Sequence, residues 1–166
     1  MKYLAIDVLY DDANNQGRVA GVVFDSLGAD KPVEEHVFDK HDIAPYEPGA
    51  FYKRELPCIL EMLGRLETLP EVIFVDGYVD LGVDHPGLGR HLFDALDGKI
   101  KVIGVAKTPF WNAPHLAVNR ASSTRPLWVT AAGMAVEEAR DILVALHGPY
   151  RVPTMLKAVD SLSRGA

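Results

Sequence analysis

The sequence predicts an α/β fold, a mixed sheet that begins with three antiparallel strands and continues with alternating strands and helices. Three strand-like segments follow one another between residues 2 and 39 with only polar turns between them, which favours an antiparallel meander. Helical and strand-like segments then alternate from residue 50 onward. A short apolar run at residues 72–75 indicates a strand buried on both faces, and it ends in Asp76 and Gly77.

Length and composition favour a globular protein with one domain, residues 1–166. Hydrophobic residues make up 48% of the chain and charged residues 24%, which is ordinary for such a protein. The net charge of -6 argues against a nucleic-acid coat protein but not against a nuclease, since a cation reverses the sign around clustered carboxylates. The single Cys58 excludes an internal disulfide. Because no signal peptide or membrane span is visible, we expect a cytoplasmic protein with no membrane partner.

The antiparallel start consists of predicted strands at residues 2–10, 18–26 and 33–39. The first strand is apolar on both faces except at Asp7. A polar, turn-rich loop at residues 11–17 separates it from the second strand, which is most simply its hairpin partner. Residues 44–49 then form a rigid connector, in which two prolines fix φ and a glycine releases it.

The remainder of the chain alternates between helices and strands. Predicted helices cover residues 50–66, 88–96 and 136–146 with a short helix after Pro153, and predicted strands cover residues 71–76, 100–105 and 127–131. Pro57 must kink the first helix or mark the first position of its regular part. Residues 77–87 are predicted to form a long loop and residues 108–125 an irregular surface segment. A mixed sheet of five or six strands with flanking helices is the ribonuclease H-like arrangement.

Two aspartates stand in predicted strands, where this residue is rare and costly to bury alone. Asp7 lies in the first strand and Asp76 at the end of the fourth, and Glu55 on the first helix supplies a third carboxylate. Two or three carboxylates suffice to hold Mg²⁺ or Mn²⁺, which can polarise a phosphoryl oxygen and orient an attacking water. From spacing alone a second interpretation stays open: Asp76 as a turn residue, Asp7 as a strand-edge residue and Glu55 as a solvated helix residue.

Three further kinds of side chain are candidates for the same site. Lys107 follows a predicted strand at the sheet edge that carries Asp76, so it could neutralise a phosphate, although a solvated loop lysine is the alternative. His85 is the histidine best placed for chemistry, and no pair of histidines has the spacing of a zinc helix. Tyr46, held between prolines, suits a stacking platform for a base, and Trp111 is a second candidate for stacking.

Eight short segments, taken in order, together resemble the endonuclease V family, nucleases of deaminated-base repair and of inosine-containing RNA. They are residues 4–8, 45–49, 51–57, 72–77, 85–86, 103–107, 126–129 and 150–153. The similarity extends over nearly the whole chain, and the common order of the segments makes it specific.

This resemblance implies a ribonuclease H-like fold and Mg²⁺- or Mn²⁺-dependent hydrolysis of phosphodiester bonds in DNA or RNA, near deaminated purines such as inosine. Asp7, Glu55 and Asp76 match the family's metal-binding acids, and Lys107 matches its active-site lysine. The residues that match its strand-separating wedge and base-binding site are Tyr46, Pro48, Gly49, Gly77, His85, Gly104 and Ala106. Flipping a base out of a duplex costs least when the base is poorly paired, so a wedge assists selection.

Two of the departures from the family pattern concern the active site and the wedge. The family's Gly-His-Arg segment, whose histidine belongs to the active site, is here the shorter segment 132–134, with Glu137 and Glu138 as candidates to supply an acid instead. The wedge carries Glu47 where the family usually has isoleucine. These departures motivate an alternative, a catalytically impaired member that binds nucleic acid or a protein. Hydrolysis of another phosphoester on the same carboxylates is a third possibility.

Overall fold

The computed structural model describes residues 1–110 and 115–165. The strands are β1 (Tyr3–Asp11), β2 (Gln16–Phe24), β3 (Glu34–His41), β4 (Val72–Asp76), β5 (Asp80–Gly82), β6 (His85–Pro86), β7 (Lys101–Ala106), β8 (Leu116–Val118) and β9 (Leu127–Ala132). The helices are α1 (Tyr52–Arg65), α2 (Leu88–Ala95), α3 (Val136–Ala145) and α4 (Thr154–Ser163). Within these ranges no helix is long and apolar enough to cross a membrane.

A mixed sheet with the strand order β3-β2-β1-β4-β7-β9-β8 forms the centre of the molecule. β1, β2 and β3 are antiparallel neighbours, and β4 and β7 run parallel to β1. The parallel pairing of β1 with β4 reaches Ala5 beside Phe74. Two residues further along both strands, Asp7 and Asp76 stand at the same edge of the sheet. The predicted ribonuclease H-like arrangement, with its two strand acids on neighbouring strands, is confirmed.

Three details of the predicted secondary structure were wrong. The predicted loop at residues 77–87 contains the β5–β6 hairpin, and the predicted irregular segment at residues 108–125 contains β8. β8 extends the sheet to seven strands among the described residues, rather than five or six. These strands are only two or three residues long, too short for an alternating pattern. Pro57 lies in the interior of α1, so of its two predicted alternatives the first position of the regular part is excluded.

Apolar side chains cover both faces of the sheet. Leu4 and Ile6 of β1 face the core beneath α1 and α2, while Tyr3 and Ala5 face the core beneath α3 and α4. This alternation follows from the two-residue period of a strand. In the second core the ring of Phe24 stacks on that of Tyr3, with centroids 5.3 Å apart. The two cores hold the central strands rigidly, so that the residues at their carboxyl ends have fixed positions.

Candidate active site

A small pocket opens where the carboxyl ends of β1, β4 and β7 meet α4. Its polar lining consists of Asp7, Asp76, Lys107 and Asp160, over an apolar floor that includes Leu156. The pocket encloses about 60 Å³. The structure thus brings together three of the four side chains predicted to be catalytic, and it adds one acid from the C-terminal helix.

Asp7 is half-buried at the centre of this acidic group. The amide of Val8 donates to its Oδ1 atom at 3.0 Å, and the Ser163 hydroxyl donates to its Oδ2 atom at 3.4 Å. Burial raises the pKa of Asp7 to about 6, and the negative charge of Asp76 adds to the rise. Charged carboxylates that repel each other in a partly desolvated place favour the binding of a cation.

Asp76 is the last residue of β4, and its side chain reaches solvent at the mouth of the pocket. Partial burial of the carboxyl group raises the pKa of Asp76, while the positive charge of Lys107 lowers it. The turn after it is fixed to the sheet because the amide of Gly77 donates to the carbonyl of Val105 at 3.0 Å. The chain leaves β4 here with Gly77 at a φ of +113°, a conformation that favours glycine.

Glu55 comes from α1 and is 7% exposed. Burial raises its pKa to about 8, and the charges of Asp76 and Asp7 contribute. The buried Tyr10 hydroxyl faces Glu55 and has no other hydrogen-bond partner in the described part of the chain. Arg54 lies over the Tyr10 ring, 4.1 Å from its centroid. Without a bound metal ion, Glu55 is therefore mostly protonated at neutral pH.

Asp160 on α4 was missed by the sequence analysis. The carboxyl groups of Asp7 and Asp160 lie close together, and this closeness raises the pKa of Asp7 and lowers that of Asp160. Burial opposes ionisation of Asp160, but its pKa is lowered because the guanidinium of Arg164 donates to it at 3.2 Å. Leu156, Asp160 and Ser163 follow helical spacing on one face of α4. Asp160 stands four residues after Leu156 and directly after Val159, and an acid among the apolar positions of a helix is the signal that could have found it.

Glu137 and Glu138, the acids suggested in place of the missing histidine, are exposed in the first turn of α3 and do not line the pocket. The suggestion was wrong, because the helix presents Ala139 and Leu143 to the core and turns these two glutamates to solvent.

The donor set of the pocket fits Mg²⁺ or Mn²⁺. Among the described residues, no three His, Cys, Asp or Glu side chains lie close enough together to coordinate one ion as they are arranged. Mg²⁺, however, is commonly bound by one or two carboxylates, with waters and substrate phosphates as its other ligands. Asp7 and Asp76, on neighbouring strands, offer two carboxylates with raised pKa values, and Glu55 offers a third directly or through water. All of these donors are oxygens, the ligands that hard cations prefer.

The predicted wedge lies in the exposed connector between β3 and α1. The side chain of Tyr46 is 62% exposed, and its ring centroid lies 6.5 Å from that of Phe51. Glu47 accepts a hydrogen bond from the ammonium of Lys53 at 2.7 Å. Pro48 is exposed as well. The connector thus exposes the Tyr46 ring, which packs near Phe51, and the charge of Glu47 beside it is paired with that of Lys53.

The other predicted base-binding residues divide into two groups. Gly49, at a φ of +76°, and Gly77 have open space where a side chain would stand. A Cβ atom on Gly104, in contrast, would lie 2.5 Å from the carbonyl oxygen of Gly77. Gly104 therefore permits the turn after β4 to pack on β7, and Ala106 is buried next to it. His85 is exposed on β6, outside the pocket lining. Trp111 lies outside the described residues.

Comparisons with known proteins identify the family of this chain. The family described as Endonuclease V matches residues 2–146 through its sequence model. Endonuclease V of Streptomyces avermitilis is 35% identical over 185 residues, which cover 97% of this chain and 78% of the relative. The corresponding protein of Streptomyces coelicolor is 34% identical, with 97% and 77% covered.

Solved structures with a similar fold come from the same family. The crystal structure of endonuclease V from Streptomyces avermitilis matches with a TM-score of 0.82 and 26% identity, over 99% of this chain and 80% of that one. The Ciona intestinalis endonuclease V, crystallised with a 23mer DNA containing an inosine followed by a ribo-adenosine, matches with a TM-score of 0.83 and 18% identity, over 99% and 84%. Sequence and fold comparisons therefore agree on one family.

Proposed function

This chain belongs to the endonuclease V family, and we propose that it is a metal-dependent endonuclease that hydrolyses phosphodiester bonds in DNA or RNA near deaminated purines such as inosine. The observation that carries the proposal is the meeting of Asp7, Asp76, Asp160 and Lys107 in one pocket at the carboxyl edge of the sheet. Open α/β sheets bind their ligands at this edge.

The chemistry divides between the acids and the lysine. A divalent cation held by Asp7 and Asp76 would polarise a phosphoryl oxygen and lower the pKa of a bound water. Lys107, whose charge acts on Asp76, neutralises negative charge that develops on the phosphate oxygens. Asp160 stays ionised beside Asp7, so its carboxylate is suited to accept a hydrogen bond from the attacking water and to orient it.

The surface around the pocket suits a nucleic acid with an extruded base. The exposed ring of Tyr46 offers a stacking face, and the open space at Gly49 and Gly77 lets a base approach the backbone closely. A relative with the same fold from Ciona intestinalis was crystallised with inosine-containing DNA. These features support a substrate in which one nucleotide is flipped from its neighbours.

A cleavage assay tests the proposal. Single-stranded DNA and RNA oligonucleotides with one inosine, and matched oligonucleotides with adenosine, are incubated with the protein and Mn²⁺ or Mg²⁺. We expect cleavage near the inosine that stops with excess chelator and is lost in Asp76→Asn. No product from the wild-type protein, or equal product from Asp76→Asn, would overturn the proposal.

The alternative, a member that binds nucleic acid or protein without cleaving, is favoured by one observation, the acidic Glu47 on the exposed connector. Asp160 argues in the other direction, because it supplies a charged side chain to the pocket although the family's histidine is missing. Oligonucleotide binding that persists unchanged in excess chelator, with no turnover, would favour the alternative.

A further inference from the structure

Lys107 stands on a segment that needs support from elsewhere in the fold. It directly follows β7, and residues 107–110 are exposed and have no regular secondary structure. A catalytic side chain on such a segment keeps its place only when the backbone is anchored, because a displacement of about 1 Å at a reacting centre can cost about 10²-fold in rate. The contacts of this segment therefore decide whether Lys107 stays opposite Asp76.

Arg151 anchors the segment from one side. Its Nη2 atom donates to the carbonyl of Lys107 at 2.6 Å and to that of Pro126 at 2.8 Å, and its Nε atom donates to the carbonyl of Arg125 at 3.1 Å. In the ranges that the structure describes, no carboxylate forms an ion pair with Arg151. The planar guanidinium instead joins the end of β7 to the turn before β9.

The backbone that carries Arg151 is itself held by a second arginine. Arg120 is 5% exposed and donates to the carbonyl of Tyr150 at 2.6 Å and to that of Leu146 at 2.7 Å. Longer hydrogen bonds reach Gly148 and Arg151 at 3.2 and 3.3 Å. The connector between α3 and α4 is thereby fixed, and Arg151 reaches Lys107 from a rigid base.

Tyr78 anchors the same segment from the other side. Its hydroxyl donates to the carbonyl of Thr108 at 2.8 Å and accepts the amide of Phe110 at 2.9 Å. The ring is buried against Ala106. Tyr78 follows Asp76 by two residues, so its hydroxyl joins the turn after β4 directly to the turn after β7.

We propose that Tyr78 and Arg151 are positioning residues, which hold the backbone on both sides of Lys107 and so keep its ammonium at the pocket opposite Asp76. The proposal rests on the nuclease function proposed above. Each of the two residues is expected to affect cleavage only by fixing the position of Lys107. Removing either anchor therefore has no effect on cleavage once Lys107 is gone.

A double-mutant cycle tests this dependence. Tyr78→Phe keeps the buried ring and removes only the hydroxyl. In the wild-type background we expect a loss of about 10-fold in kcat with less than a twofold change in KM, since an interaction made in the transition state is weakened. In a Lys107→Met background the same substitution should cost nothing further. A loss of equal size in both backgrounds would overturn the proposal.

Arg151→Lys gives a second cycle on the other anchor, because lysine keeps the charge but not the planar fork that reaches several carbonyls. We expect a similar loss in kcat that also disappears with Lys107→Met. Tyr150→Phe is the matched control, because the Tyr150 side chain is 74% exposed and is neighbour to Arg151 in the chain. It should leave kcat and KM unchanged.

Amide hydrogen exchange gives a readout that needs no activity. The Phe110 amide loses its acceptor in Tyr78→Phe, and we expect its exchange to become about 10-fold faster, while the Val105 amide in β7 stays unchanged. If the wild-type protein cleaves no substrate, the proposed function fails, and the faster exchange still supports the anchoring of the Lys107 segment. Unchanged exchange at Phe110 would overturn the anchoring itself.

Discussion

Two helices on opposite faces of the sheet each bring one acid to the strand aspartates, in opposite electrostatic settings. Glu55 on α1 is buried, and the charges of Asp76 and Asp7 help to raise its pKa to about 8. Asp160 on α4 has a lowered pKa, because the hydrogen bond and charge of Arg164 outweigh burial. Burial of Glu55 and the Arg164 guanidinium beside Asp160 thus move the two pKa values in opposite directions.

This difference gives the two helical acids different expected roles. Asp160 is a carboxylate before anything binds, so it can accept a hydrogen bond from water and orient it. Glu55 must release a proton when a cation enters, which makes cation binding depend on pH. A substitution at Asp7 or Asp76 therefore changes the surroundings of both helical acids, whereas a substitution at Glu55 or Asp160 tests the contribution of one acid alone.

The largest effect is expected from Asp7→Asn, since Asp7 lies between both helices. Losing a cation ligand removes several kcal/mol of transition-state stabilisation, and each 1.36 kcal/mol is tenfold, so we expect cleavage to fall about 10³-fold. Single-turnover cleavage with Mn²⁺ measures this. Asp141→Asn, an exposed acid on α3, is the control and should cleave normally. A rate of Asp7→Asn within tenfold of the wild-type rate would contradict the assignment.

That Asp7 and Asp76 lie next to each other could be predicted from the sequence, because their adjacency depends only on the order of the strands in the sheet. Apolar runs interrupted by an acid identify both strands, and an antiparallel start followed by alternation makes them adjacent. Glu55 followed from the resemblance to a family and from its place on the first helix. The strands that carry Asp7 and Asp76 and the helix that carries Glu55 are each long enough to show a clear pattern in the sequence.

Asp160 could not be predicted in the same way, because its role depends on how α4 packs against β1. The position and charge of Asp160 matter because it lies beside Asp7, more than 150 residues away in the chain, and because Arg164 at the end of the same helix donates a hydrogen bond to it. The anchors of Lys107 were hidden for the same reason. Tyr78 and Arg151 act through hydrogen bonds to backbone carbonyls, which leave no pattern in a sequence.

Glu55→Gln isolates the contribution of α1. The substitution keeps the size of the side chain and removes its charge, so we expect cleavage to fall about 10²-fold, within the range of lost electrostatic stabilisation. The same variant should unfold at a higher temperature without a cation, because a buried group that resists ionisation is gone. Glu67→Gln, an exposed acid just after α1, is the matched control. A less stable Glu55→Gln protein would contradict the uncompensated burial of this carboxyl.

The pH dependence of stability tests the same burial in the wild-type protein. Asp7 and Glu55 have pKa values raised from 3.8 to about 6 and from 4.5 to about 8. The folded protein therefore binds protons more tightly than the unfolded chain, and this contribution to stability is present at low pH and lost as pH rises through the folded values. With chelator, we expect about 4 kcal/mol more stability at about pH 5.5 than at about pH 8.

Thermal unfolding at these two pH values measures the effect, as a Tm higher by several degrees at the lower pH. Added Mn²⁺ should raise the Tm mainly at the higher pH, where the carboxylates are ionised. In Glu55→Gln the difference between the two pH values should shrink. A Tm that falls with decreasing pH across this window would contradict the direction of the pKa shifts.

Asp160→Asn isolates the contribution of α4 and should cost less than Glu55→Gln. Asparagine keeps the size of the side chain but has no charge, so we expect cleavage to fall about 10-fold, which corresponds to about 1.4 kcal/mol of lost electrostatic stabilisation. Glu137→Gln on α3 is the control, since Glu137 is exposed outside the pocket. Equal rates for Asp160→Asn and the wild-type protein at every pH would remove Asp160 from the mechanism.

The smallest effect is expected on the exposed connector between β3 and α1, outside the pocket lining. Glu47→Gln removes a negative charge that Lys53 already pairs at 2.7 Å, and the freed ammonium then attracts the phosphates of a nucleic acid. We expect binding of a single-stranded oligonucleotide to tighten about twofold at low salt and to return to the wild-type value at high salt, because exposed charges are screened. The Tm should not change, since exposed ion pairs contribute little to stability. Weaker binding by Glu47→Gln at low salt would show that the acid itself contacts the substrate, and the connector would then select substrates by a contact rather than by charge.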